Sequence, residues 1–219
     1  MSRSSEAETV TRNGAVEQLT TLLGEHDLES LRHSWRVGRL AGEMAASLGV
    51  PPEERRAVAL AGLLHDVGKL GIPTSLLGKP FPLGEEEAVL VRSHALVGGL
   101  MVRPLVSADV ADAVRDHHER LDGCGYPAGL RGGDLSWMTR VVSVADTYDA
   151  LVSHRPYRRG CSKLDAFLEL QRVAGTQLDG GMVDVLVELE SAAGEQGPGH
   201  VLPTARLRLR SLLLPTGAL

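Results

Sequence analysis

The stretch VALAGLL, residues 58–64, is apolar on most faces of a helix, follows Pro51-Pro52-Glu53-Glu54 and ends in His65-Asp66. A helix without a polar face belongs in the middle of a bundle, with other helices packed around it. Neighbouring segments supply them. Leu28, Leu31, Trp35, Leu40, Met44 and Leu48 recur at steps of three to five residues until Gly49 and Pro51-Pro52 stop the run. Helical patterns also cover residues 15–23, 85–101, 108–119, 135–152, 162–173 and 182–193. The segment LGIPTSLLGKPFPLG reads as loop, because its prolines and glycines break any periodicity. No clear alternating run precedes the C-terminal TARLRLRSLLL, in which Arg and Leu alternate as in a strand. The reading is an all-α bundle of about seven helices. It is divided into a disordered N-terminus (1–14), one folded domain (15–193), and a C-terminal linker and tail (194–219).

Charge narrows the partners. Against 28 acids the chain has 23 lysines and arginines, and a net charge of -5 argues against a grip on polymeric nucleic acid. Arg155, Arg158 and Arg159 still offer a local positive patch for a small anion, or else a solvated loop. Cys124 and Cys161 form neither a CxxC pair nor a disulfide framework, which suits a reducing compartment. With no signal-like N-terminus and no long apolar run, the expected location is cytoplasmic, without a transmembrane segment.

The polar residues on these apolar helices carry the chemistry. Glu29 and His33 are four apart and share a helix face, which is ligand spacing. His65 and Asp66 leave the core helix where an unpartnered charge is costly, so each needs a metal or a salt bridge. His94, the pair His117-His118 and Asp146 lie in or at the ends of other helices. Singly, each reads as readily as a satisfied helical residue. Together they are eight nitrogen and oxygen donors without a thiolate, a set that suits iron, manganese or zinc and exceeds what one ion needs. Such a cluster supplies a metal-bridging hydroxide for in-line phosphoester hydrolysis. In HHERLDGCGYP the adjacent histidines can serve neighbouring metals, and the glycines let backbone approach a bulky ligand. Tyr126 suits base stacking or plain packing, and Asp122 suits orienting a histidine or closing the turn.

The strings LLHDVGKLGIP, HHERLDGCGYP, VADTYDAL and RPYR, at these distances, resemble the HD-GYP phosphodiesterases of the HD-domain superfamily, over about Glu29 to Leu189. The resemblance implies an HD-domain bundle with a GYP loop and two or three divalent metals, iron or manganese. Their ligands would be His33, His65, Asp66, His94, His117, His118 and Asp146, with Glu29 completing a third site. It gives Asp66 and Lys69 catalytic roles, Lys69 at the scissile phosphate or leaving oxygen. Gly125, Tyr126 and Pro127 would border the substrate cleft. Arg155 and Arg158 would hold the substrate, Arg158 standing where the family often has lysine. The implied reaction opens cyclic di-GMP to linear pGpG, and in some members cuts on to GMP. A cyclic-dinucleotide receptor without turnover and a hydrolase of another cyclic dinucleotide are the alternatives. A homodimer or a separate regulatory protein would provide control.

Overall fold

The computed structural model describes residues 3–79, 82–154 and 159–194, and among these the chain forms nine α-helices and no strand. In order they are α1 Arg3–His26, α2 Leu28–Ser47, α3 Pro52–Leu64, α4 Thr74–Leu77, α5 Glu85–Val102, α6 Ala108–Asp116, α7 Trp137–Val152, α8 Lys163–Val173 and α9 Gly180–Gly194. Two 3-10 turns, Val67–Gly71 and Gly132–Asp134, complete the set. Helix starts follow the side chains present. Asp27 caps α2 by accepting from the Glu29 amide, and Ser136 and Ser162 cap α7 and α8 in the same way. Glu87 reaches back from the first turn of α5 to the Gly84 amide at 2.8 Å.

The all-α reading holds, with shifted boundaries. Helix α1 is much longer than the 15–23 pattern and takes in most of the segment expected to be disordered. Periodicity marked the part where Val16 and Leu23 are buried. The expected loop between Leu70 and Gly84 contains the end of a 3-10 turn and the single turn of α4. Helix α6 ends at Asp116, so His117, His118 and Glu119 lie beyond it rather than in its last turn. The strand-like tail lies outside the described residues.

Helix α3 occupies the centre, as its composition requires. Its Val58 and Ala61 join the larger apolar cluster with Val37, Met44, Val142 and Leu186, while Leu64 joins a smaller cluster with Val16, Val102 and Val114. Each large side chain so buried contributes about 1.5–3 kcal/mol. Packed from both sides, α3 holds its C-terminal end, and therefore His65 and Asp66, at a fixed point inside the bundle.

Candidate metal centre

Five segments converge on that point. His33 comes from α2, His65 and Asp66 from the end of α3, His94 from α5, His117 and His118 from the end of α6, and Asp146 from α7. Three groups of ligand atoms form, each within 4.8 Å: His33, His65 and Asp66; His65, His117 and Asp146; and His94, His117 and His118. Gly68 makes this convergence possible, because a Cβ there would overlap the His94 carbonyl and hold α5 away from Asp66. Asp66 Oδ1 lies 3.5 Å from His94 Nε2.

The histidines are oriented in two ways. His65, His94 and His117 each donate from Nδ1 to the carbonyl three residues earlier, those of Gly62, Val91 and Val114, at 2.6–2.7 Å. A carbonyl only accepts, so Nδ1 carries the proton and Nε2 of the neutral ring is a bare lone pair. His33 instead uses Nδ1 against the Asp149 carboxylate at 2.7 Å, while its Nε2 lies 2.9 Å from Asp146. Asp149 is itself held by Arg36 Nε at 2.7 Å and Ser153 Oγ at 3.0 Å.

Electrostatics follow from these partners. Burial works against charge on His33, but hydrogen bonds to Asp146 and Asp149 outweigh it and push its pKa up to about 9. Burial holds His94 and His117 below the ordinary histidine value and His118 down at about 4. Burial opposes the charge on Asp66 and Asp146 too, yet Lys69 beside Asp66, and His33 beside Asp146, keep both well below the usual carboxylate range. Asp149, likewise opposed by burial, is held near 2 by His33 and Arg36.

Three atoms test whether a metal fits. His65 Nε2 is fully buried without a hydrogen-bond partner. His94 Nε2 and His117 Nε2, both bare, face each other at 3.3 Å. Lone pairs so placed repel unless a cation lies between or beside them, so the donor set fits divalent metal. Glu29 stands apart from the three groups, its carboxylate 3.6 Å from Arg32 and 3.7 Å from Arg36.

Lys69 Nζ bonds Asp66 Oδ2 at 2.6 Å and lines a cleft together with His26, Glu29, His33, Arg36 and Ser153. The GYP loop folds back on the histidine pair. Tyr126 lies 4.8 Å from the His118 ring and under the Arg92 guanidinium. The glycine requirement differs from the one expected: a Cβ on Gly125 would collide with backbone of His118–Arg120, so at this position it is the protein's own chain that approaches, not a ligand. The Tyr126–Pro127 bond is cis. Asp122 closes the turn by accepting from the Cys124 amide at 2.9 Å. Arg155 and Arg158 lie outside the described residues.

Sequence reasoning missed Asp149 and Glu119. Asp149 sits three residues after Asp146, hence on the same helix face, and that spacing was a usable signal. Buried Glu119 accepts the amides of Ala128, Gly129 and Leu130 and so ties the GYP loop to the histidine pair. Nothing local in HHERLDGCGYP announces that contact.

Comparison with known proteins agrees with the geometry. The HD domain family profile matches residues 17–182. Over 180 residues the chain is 34% identical to a cyclic di-GMP phosphodiesterase of Thermotoga maritima, covering 80% of this chain and 49% of that protein. It is 35% identical over 161 residues to the 3'3'-cGAMP-specific phosphodiesterase 1 of Vibrio cholerae, covering 72% and 37%. The chain thus spans half or less of these relatives. The fold matches an HDG"Y"P protein from Bdellovibrio bacteriovorus with a TM-score of 0.64 at 21% identity, over 85% of this chain and 64% of that one. With the profile covering most of its length and the His-Asp doublet, paired histidines and Gly-Tyr-Pro loop gathered at one centre, the chain belongs to the HD-domain family and carries the HD-GYP signature.

Proposed function

We propose that this chain is a metal-dependent phosphodiesterase domain that hydrolyses cyclic di-GMP to linear pGpG, the product ratio in the test below showing whether it cuts on to GMP. The observation that carries the reading is the set of inward-facing, bare Nε2 atoms on His65, His94 and His117 beside the Asp66–Lys69 pair. His33, His65, Asp66, His94, His117, His118 and Asp146 would hold two divalent ions, iron or manganese. Glu29 turning in from Arg32 and Arg36 would complete a third site. When bound, these metals neutralise the phosphodiester and activate water for in-line attack.

The chain's own residues do the rest. Lys69 holds its ammonium at the rim of the ligand groups, where it neutralises charge on the departing 3′ oxygen. Arg36, fixed by Asp149, adds a second cation to the cleft, and Thr74 lines it with a hydroxyl for ribose or phosphate. Arg155 and Arg158, given a substrate-binding role by the HD-GYP resemblance, would add further positive charge for the phosphates. Gly125, Tyr126 and Pro127 border the cleft chiefly by backing His118. Such a substrate gives the domain a cytoplasmic setting; among the described residues no helix is long and apolar enough to cross a membrane.

The test is anaerobic incubation with iron(II) or manganese(II) and cyclic di-GMP, with 3'3'-cGAMP in parallel and nucleotides followed by chromatography. Metal-dependent turnover of cyclic di-GMP, lost in Asp66→Ala, is the expected result. Turnover of cGAMP alone would reassign the substrate. Tight nucleotide binding with metals present and no turnover would make the domain a receptor.

A further inference from the structure

Helix α5 has two faces of opposite character. One buries His94, Ala95, Gly98, Gly99 and Val102. The other, opposite on the helical wheel, leaves Val89, Leu96 and Leu100 at 65%, 43% and 63% exposure. Positions 86, 89, 93, 96, 100 and 103 are spaced alternately by three and four, the pattern of a two-helix seam. They are also symmetric about the midpoint between His94 and Ala95. Turned end over end, the stripe maps Val89 onto Leu100, Ser93 onto Leu96 and Glu86 onto Arg103. Ser93 introduces no unmet donor, because its hydroxyl already bonds the Leu90 carbonyl at 2.7 Å.

We propose that this face binds a second copy of the same chain, α5 against α5, antiparallel and two-fold symmetric. Charge selects that orientation. A parallel pair would bring Glu85 and Glu86 of both copies together, whereas the antiparallel pair sets Glu86 beside Arg103 twice. Arg103 is free to change partner: it lies 3.1 Å from Asp112, and Asp112 keeps Arg115 at 2.9 Å if Arg103 leaves. Exposed ion pairs add little affinity, so they fix direction while the apolar stripe supplies the contact. With three apolar side chains per copy over an 18-residue helix, the dimer is weak and forms in the micromolar range, on the order of 10 µM. No residue lining the cleft belongs to α5, so the dimer leaves the cleft open.

Sedimentation of the full chain over a concentration series tests this. Reversible dimerisation is expected, with Leu100→Glu and Val89→Glu each raising the dissociation constant at least about tenfold while the helical circular dichroism stays unchanged. Glu86→Arg and Arg103→Glu should each weaken the dimer, and the double variant should restore it. Register is read by oxidation with diamide in a Cys124→Ser background. Val89→Cys and Leu100→Cys proteins should cross-link when mixed and not separately. A chain monomeric throughout the series, whether α5 is bare or covered by another segment of its own chain, overturns the proposal. So does a dimer indifferent to both glutamate substitutions, or one in which Val89→Cys cross-links alone.

Discussion

His33 and His94 are both buried and both face the ligand centre, yet they are anchored differently. His94, like His65 and His117, hangs from a neutral backbone carbonyl on its own helix, an anchor supplied by the helix that carries it. His33 hangs from Asp149, 116 residues away and clamped by Arg36. The difference teaches that one side of the centre is set by local helix geometry and the other by a long-range charged network. Carbonyl-anchored rings turn Nε2 inward, ready to ligate. The carboxylate-anchored ring is drawn toward its charged form without a metal, and becomes a strongly donating ligand when a cation takes that proton's place.

Removing the group common to both sides gives the largest effect. Asp66→Ala takes away the carboxylate that faces His33, His65 and His94 and holds Lys69, and phosphodiesterase activity should fall at least about 10³-fold, with metal content by mass spectrometry falling too. Asp149→Asn separates the two anchors. It should weaken metal binding about 10- to 100-fold in chelator competition, with the loss confined to the ions held by His33. Equal loss at the His94, His117 and His118 group would remove the distinction drawn between the two sides.

Glu119→Gln probes the loop behind His118. One oxygen would remain for the Ala128 and Gly129 amides, but an amide N–H would face the Leu130 N–H. Unfolding free energy measured in urea should drop by about 1–3 kcal/mol, and retention of full stability would show that the loop is held by other means.

The mildest perturbation is of pH. His33 rises from 6.5 to about 9, so between those values the folded protein holds more protons than the unfolded chain and stability falls as pH rises. His118, held at about 4, does the reverse: below 6.5 the unfolded chain takes up more protons, and stability falls as pH falls. Metal-stripped protein should therefore melt highest near pH 6.5, and Asp149→Asn should flatten the alkaline limb alone.

Much of this was legible in the chain. Apolar VALAGLL placed α3 at the centre, periodicity marked α2, α7 and α8 to within two residues at each end, and the signature singled out seven of the residues that meet at the centre. Glu29 was grouped with them by its four-residue spacing from His33, but spacing on one helix does not show which neighbours compete for a carboxylate, and here Arg32 and Arg36 flank it. The outer stripe of α5 was equally visible as letters. The letters alone do not say whether Val89, Leu96 and Leu100 are covered, because an apolar residue looks the same whether a neighbour covers it or not.

The sequence by itself therefore determined that the chain is helical, which helix is central and which side chains could ligate a metal, since periodicity and donor chemistry act over one or two turns. Only the tertiary structure decided which nitrogen of each histidine faces inward, that Asp149 orients His33, that Glu119 ties down the GYP loop, and which face of α5 is left bare. Those outcomes depend on helices far apart in the chain packing at one distance and one rotation, and His33 meets Asp146 at 2.9 Å across 113 residues only because α3 holds α2 and α7 in place between two apolar clusters.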